Sequence, residues 1–549
     1  MSERDDEAFR LLLTGEQPAV PAATSDAAPA HAETPATAGA APVDSPPTAT
    51  NPVQLWRVGS AIDTMIARSP RWLLVGGRWL GAAGVLAVAA ATRLTGLAHP
   101  GELVFDETYY VKDAWALWNL GYESQWPSDA DEQWAAGRTD GWTGMASFAV
   151  HPPLGKWLIG LGLALAGPED PASWRIATAL TGIALVALVM VGAWLLTRSG
   201  PITTITGYLL AIDGNGIVMS RVGLLDGFLA LFALSAFICI LLDRARTART
   251  GARWWRPWLL AAGIALGAAV AVKWSGIWFV AAFGLFSVFA DPTIRGRLLE
   301  LAKLAGVNLV LLLPIAAVTY ALTWWGWFAS EDGYQRGWAE SGTNAWSGFW
   351  AWVPLPVQSW AHLHEMTYGY HVGESTEHAY MAPAWTWLAL IRPTSMWYQG
   401  SSFGELDCAS VTCGASILDI PNPLIWWAAV AAIVYCIVRV IRYREWQVAA
   451  VLTAFAAGYL PWLAFPERTV YQFYTIAFQA FMLLALALAI RAVLGTADDE
   501  RSRRVTGIVT VAVALVIVTA VSAYFWPVWT GMQTSFEFLA SHWWLPGWR

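Results

Sequence analysis

Runs of apolar residues long enough, or nearly long enough, to cross a bilayer recur along this chain. They fall at 79–98, 174–196, 201–219, 222–242, 256–272, 275–290, 302–325, 423–441, 447–465, 470–491 and 505–527. A helix needs roughly 20 apolar residues to span a hydrocarbon core about 30 Å thick. The pattern therefore predicts an all-α polytopic membrane protein with about eleven transmembrane helices. One further run, 154–167, is only fourteen residues long.

Basic residues decide how that short run is read. They cluster at Arg57, Arg68, Arg71 and Arg78, at Arg198, and at Arg244, Arg246, Arg249, Arg253 and Arg256. Further clusters are Arg295, Arg297 and Lys303, then Arg439, Arg442 and Arg444, then Arg491, Arg501, Arg503 and Arg504. With eleven spans every cluster falls on the cytoplasmic side, as the positive-inside rule requires. A twelfth span at 154–167 would put the five-Arg cluster outside, so that run reads as an interfacial helix. Two large loops then face outward, 99–173 and 326–422, and the Trp-rich tail from Trp526 to Trp548 reads as an outer interfacial anchor.

Composition agrees. Hydrophobic residues make up 56% of the 549 and charged residues 13%, with 36 Trp, which excludes a soluble enzyme, a nucleic-acid binder and a disulfide-framework module. The net charge of -7 says little, because the placement of Lys and Arg matters more than their sum. Residues 18–50 are almost all Ala, Pro, Thr, Ser, Gly and Asp and cannot form a core, so 1–70 is expected to be a disordered cytoplasmic tail and 71–549 the transmembrane domain. Leu11–Leu13 is too short for a signal-peptide core, and the first span is expected to act as the anchor.

Chemistry has to sit in the outward loops. The first opens Glu102-Leu-Val-Phe-Asp106-Glu107-Thr-Tyr-Tyr-Val-Lys112-Asp113. Adjacent carboxylates at a lipid surface suit a general base, since partial desolvation raises their pKa; the plain alternative is a solvated acidic turn. That loop ends His151-Pro-Pro-Leu-Gly-Lys156, where Lys156 either meets a phosphate or snorkels. Arg175, Asp213, Arg221, Asp226 and Lys273 all fall on the outer side of their spans. Ionisable groups there are functional suspects, unless Asp213, Arg221 and Asp226 simply pair with one another. The second loop carries His362, His364, His371, His378, Arg392 and Glu405; His-x-His could suggest a metal, but no carboxylate spacing accompanies it and a solvated or interfacial loop is the expectation. Cys408 and Cys413 are candidates for a small disulfide if their stretch is extracytoplasmic, while Cys239 and Cys436 read as buried apolar residues.

Four ordered motifs resemble the protein O-mannosyltransferases of the C-type polytopic glycosyltransferase superfamily. They are Phe105-Asp106-Glu107-Thr-Tyr-Tyr-Val-Lys-Asp, His151-Pro-Pro-Leu-Gly-Lys156, Ser220-Arg221-Val-Gly-Leu-Leu-Asp226 and Ala271-Val-Lys273-Trp274-Ser-Gly. The second loop, 326–422, leaves no room for the β-trefoil insertion of eukaryotic members, so the likeness is to the bacterial branch. The resemblance implies transfer of one mannose from polyprenyl-phosphate mannose to Ser or Thr hydroxyls of proteins outside the cell membrane, with inversion. It assigns Asp106 as base, with Glu107 orienting the acceptor or a cation. Lys156, Arg175, Lys273 and Arg392 are the candidates for the donor phosphate, supported by His151, Arg221, Asp226 and Trp274. No metal or other cofactor is expected, and membrane lipids and a secretion channel are the expected partners beyond donor and acceptor. Rival readings are a lipid-phosphate-sugar transferase acting on lipid or glycan, a transporter, which would place charges at the midplane, and a non-catalytic scaffold.

Overall fold

The computed structural model describes residues 71–251, 254–291, 298–496 and 498–549. The expected tail over 1–70 lies outside the described residues. A helix stands at each of the eleven apolar runs. In chain order these begin with α1 (Arg71–Leu94) and, after the first large loop, continue with Pro171–Thr197 and the bent pair Gly200–Ala211 and Gly214–Arg221. There follow Asp226–Thr250, Pro257–Val272, Gly276–Phe289, Leu298–Leu322, Pro423–Tyr443, Trp446–Tyr459, Ile476–Leu494 and Arg501–Thr530. Among the described residues, seven helical segments are long and apolar enough to cross a membrane, or eight if the bent pair is one span. The apolar part of α1 (Trp79–Leu94), Pro257–Val272 and Gly276–Phe289 are shorter.

Local chemistry sets several of the boundaries. Asp170 caps the helix at Pro171 by accepting from Ala172 N, and Asn422 caps the one at Pro423 by accepting from Leu424 N and Ile425 N. The bent pair turns by 57° at Ile212-Asp213. That break frees backbone groups in an apolar setting, and both ends find partners. Arg93 donates to Leu210 O and Ala211 O at the first half-helix, and the Asp213 carboxylate accepts from Gly216 N at the second.

Two helices lie in the first large loop. α2 (Glu107–Leu120) and α3 (Leu154–Ala166) pack together over a core of Val111, Ala114, Ile159, Leu163, Trp174 and Leu225. At 13 residues, α3 is about 20 Å long and falls short of a bilayer core.

The second loop holds more than helices. β1 (Thr394–Ser402), β2 (Thr412–Asp419) and β3 (Thr534–Ser535) form an antiparallel sheet in the order β1-β2-β3. The all-α expectation holds for the membrane helices but does not include this small sheet. β1 and β2 form a hairpin joined by the loop 403–411, and the two-residue third strand comes from the C-terminal tail. Cys408 and Cys413 are joined by a disulfide at the turn, with Cα atoms 5.7 Å apart.

Candidate active site

Asp106 sits at the N-terminal end of α2, yet its side chain does not cap that helix. Among the described residues no hydrogen-bond donor reaches its carboxylate. Burial pushes its pKa up from 3.8 to about 6, with nearby Asp226 adding and Lys273 opposing. The preceding residue, Phe105, has φ +48°, a left-handed conformation that costs a non-glycine residue about 1 kcal/mol. Edge-on contacts from its ring to His378, Tyr471 and Phe473 hold it there.

Glu107 and Arg175 hold the loop from the other side. Both are fully buried. Arg175 donates from Nε and Nη2 to the two Glu107 oxygens at 2.8 Å each, and to the carbonyls of Leu97, Pro100 and Glu102. Those five contacts match its five N–H groups. Glu107 also accepts from Val104 N at 3.0 Å and Gly223 N at 2.7 Å. Neither side chain has a free face for a substrate; together they tie the loop to the start of the Asp226 helix.

The other expected cations divide. Lys156 is buried and pairs with Glu123 and, at 3.7 Å, with Asp113. Two carboxylates share that one ammonium. Burial pushes Asp113 up to about 7, Lys156 opposing and Glu123 adding. Lys273 lies 3.0 and 2.9 Å from the two Asp226 oxygens and over the Tyr474 ring at 4.4 Å. Asp226 can take at most two of its three N–H groups, which leaves one directed elsewhere. Arg392 lies away from this cluster: it donates to the carbonyls of Ala379, Gly547 and Arg549 and ties down the C-terminal tail.

The supporting residues also separate. Arg221 donates to Thr95 O and Gly96 O at the end of α1. It does not pair with Asp213 or Asp226, so the mutual pairing weighed for those three is replaced by three separate roles. His151 stacks on His371 at 5.4 Å, and Trp274 contacts both His364 and His371. Burial holds His151 well below its usual 6.5, Lys273 next in effect, and burial with Arg468 takes His371 down to about 4. Both imidazoles are neutral at physiological pH, so the site's cations are Arg468 and Lys273, the latter paired with Asp226.

Arg468 is the cation that sequence reasoning missed. It donates from Nη1 to His371 O and approaches His371 Nδ1 with Nη2 at 3.1 Å. Its signal was present: a charged residue in the short connection before Tyr471-Gln-Phe-Tyr474. His371 and His378, expected in a solvated or interfacial loop, pack into the same cluster. The described residues contain no group of three or more His, Cys, Asp or Glu that could hold a metal.

Comparison with known proteins shows the family of the chain. The family model described as dolichyl-phosphate-mannose-protein mannosyltransferase matches residues 127–325. A second, described as the C-terminal four-transmembrane region of protein-O-mannosyltransferase, matches 356–548. The polyprenol-phosphate-mannose–protein mannosyltransferase of Mycolicibacterium smegmatis (strain MKD8) is 31% identical over 505 residues, covering 86% of this chain and 93% of that one. The enzyme of the same name from Mycobacterium tuberculosis is 31% identical over 507 residues, covering 86% and 92%. The Saccharomyces cerevisiae protein O-mannosyltransferase complex bound to its sugar donor superposes with a TM-score of 0.68 at 16% identity, covering 86% of this chain and 93% of that one. At that identity the structural match speaks for the fold alone.

Proposed function

The chain belongs to the dolichyl-phosphate-mannose-protein mannosyltransferase family, and on that premise we propose that it transfers one mannose from polyprenyl-phosphate mannose to Ser and Thr hydroxyls of proteins at the outer face of the cell membrane. The observation that carries the mechanism is the unpartnered, half-buried Asp106 carboxylate beside a cationic wall.

An alcohol is a weak nucleophile at neutral pH, and a base must take its proton as the new bond forms. In this reading the acceptor oxygen attacks the anomeric carbon, its proton passes to Asp106, and the bond from that carbon to the phosphate oxygen breaks. The configuration inverts. The leaving group departs as the polyprenyl phosphate anion and needs no proton, only positive charge to receive it. Lys273 and Arg468 supply that charge. A pKa near 6 suits the base, which is ionised at neutral pH yet more basic than an ordinary carboxylate.

Glu107 and Arg175, expected at the substrate, are assigned instead as positioning residues that hold the Asp106 loop. Lys156 serves α2 and α3 through Asp113 and Glu123, and Arg392 serves the C-terminal tail. Eleven crossings, with the N-terminus inside and α3 in the outer interface, remain our reading of the topology. A secretion channel as supplier of unfolded acceptors fits it.

The test uses purified membranes, radiolabelled polyprenyl-phosphate mannose and a peptide rich in Ser, Thr, Pro and Ala. Label entering the peptide, and lost on Asp106→Asn, is the expected result. Label entering only lipid or glycan would move the chain to a different acceptor class, and transfer surviving the substitution would remove Asp106 as the base.

A further inference from the structure

A second polar cluster lies where the bent span meets the end of β2, and the reaction described above makes no use of it. Thr394 and Asp419 are directly paired across β1 and β2, so their side chains leave the same face of the sheet. Both are fully buried, and neither the Thr394 hydroxyl nor either Asp419 oxygen has a hydrogen-bond partner. The turn after Asp419 touches the span break: Asn422 N donates to Asp213 Oδ2 at 3.0 Å. Asp213 in turn accepts from Gln479 Nε2 at 2.5 Å.

Three amides stand on the segments that lead away from this junction. Gln479 donates to the Asp213 carboxylate, Gln472 to Trp387 O at 3.3 Å, and Asn215 to Thr475 Oγ1 at 2.7 Å. A carboxylate and a carbonyl can only accept, so the two Gln orientations are forced, with nitrogen at the anchored end. Their oxygens, and that of Asn215, are buried with no donor. With Thr394 and Asp419 that makes six unpartnered buried oxygens. Trp529 Nε1, against Gly214, is an unpartnered donor nearby, and the Thr394 hydroxyl carries a second, but two donors cannot satisfy the two carboxylate and three amide oxygens.

Charge points the same way. Asp213 lies within electrostatic reach of Arg93, and Asp226 is neutralised by Lys273. Asp419 has no such counter-charge: burial pushes its pKa well above the carboxylate range, and the charged groups acting on it, Asp213 and Asp226, are both negative. A buried anion without a partner is costly, and natural proteins relieve that cost by pairing, protonation or a bound cation. Sugar hydroxyls and water can donate to these oxygens but bring no charge to offset the carboxylate. An all-oxygen set is the chemistry of a hard cation, and one uncompensated negative charge matches one positive charge.

We propose that this cluster binds a single monovalent cation of the sodium class, with Asp419 and Thr394 as its centre and the amide oxygens of Gln472, Gln479 and Asn215 completing the shell. Its place in the fold gives it a consequence. Gln472 precedes Phe473 and Tyr474, the rings beneath Lys273, so the ion braces the segment that forms one wall of the reaction site.

The test is thermal unfolding of the full chain in detergent, followed by its own Trp fluorescence. NaCl is titrated against choline chloride at constant ionic strength, with KCl and CaCl2 as further arms. The expected result is a saturable rise in melting temperature with NaCl, since a ligand that binds only the folded state stabilises it in proportion to ln(1 + [L]/Kd). Asp419→Asn should abolish the response, and Thr394→Val should move its midpoint to about tenfold higher NaCl. If the Asn variant does not fold, the Thr394 variant and the wild-type salt series still decide. Indifference of the wild type to every cation would overturn the proposal and leave Asp419 holding a proton. A response confined to CaCl2 would overturn the monovalent assignment, and a sodium response unchanged in both variants would place the ion elsewhere.

Discussion

Asp106→Asn separates catalysis from stability, because the two should move in opposite directions. The ionised carboxylate is held at a pKa of about 6 against an ordinary 3.8, with burial as the main cause. Each pKa unit is about 1.4 kcal/mol, so the folded protein bears at most about 3 kcal/mol for keeping this group charged at pH 7. The sign follows from the direction of the displacement. The folded state binds the proton more tightly than the unfolded chain, so stability is highest below about pH 4 for this group and is lost as pH rises through 6. Asparagine carries no charge and removes the penalty, and no hydrogen bond is sacrificed. The variant is therefore expected to melt at a higher temperature at pH 7 than the wild type, with the difference vanishing near pH 4. Over the same comparison, mannosyl transfer to peptide should fall by about 10²–10⁴, the usual worth of a general base. Wild-type turnover should decline about tenfold per pH unit below 6. The measurements are initial rates in detergent from pH 5 to 8 and melting curves of both proteins over the same range, extended to pH 4 for the melts. A variant that is less stable at pH 7, or that retains transfer within tenfold of wild type, would refute the reasoning, since either means that the carboxylate has a structural partner or no part in the proton transfer.

Other expectations follow from the same geometry. Arg175→Met should cost about 3–5 kcal/mol by leaving Glu107 buried and unpaired; the Glu107→Gln/Arg175→Met double variant should recover part of that loss in melting temperature, which a surface pair would not show. Arg468→Ala should raise the KM for polyprenyl-phosphate mannose about tenfold or more, the worth of a charged hydrogen bond to phosphate, whereas Arg392→Ala should leave both KM and kcat unchanged. Gly162→Ala would set a Cβ 2.2 Å from Ser173 O and should lower stability by about 1–3 kcal/mol as α3 is pushed off its neighbour, read as a fall in melting temperature.

What could be read directly from the chain was whatever depends on neighbours along it. Eleven apolar runs each became helix, because in lipid the backbone must satisfy its own hydrogen bonds and helix is the local way to do so. The motifs at Asp106, His151, Asp226 and Lys273 were legible too, and the fold brings these residues to one cluster. Tertiary structure decided which charges are free. Lys156, Arg175, Lys273 and Arg392 look alike as cations along the sequence, yet in turn they meet two carboxylates, a buried glutamate, one aspartate together with two aromatic rings, and backbone carbonyls. Most of these partners come from other elements of the chain, and a side chain's availability is a property of what packs against it. The same reason hid Arg468, the β-sheet whose third strand arrives from the tail, and the buried oxygens around Asp419. Hydropathy and local motif are written in order along the sequence; electrostatic pairing is settled only when segments tens of residues or more apart exclude water from between them.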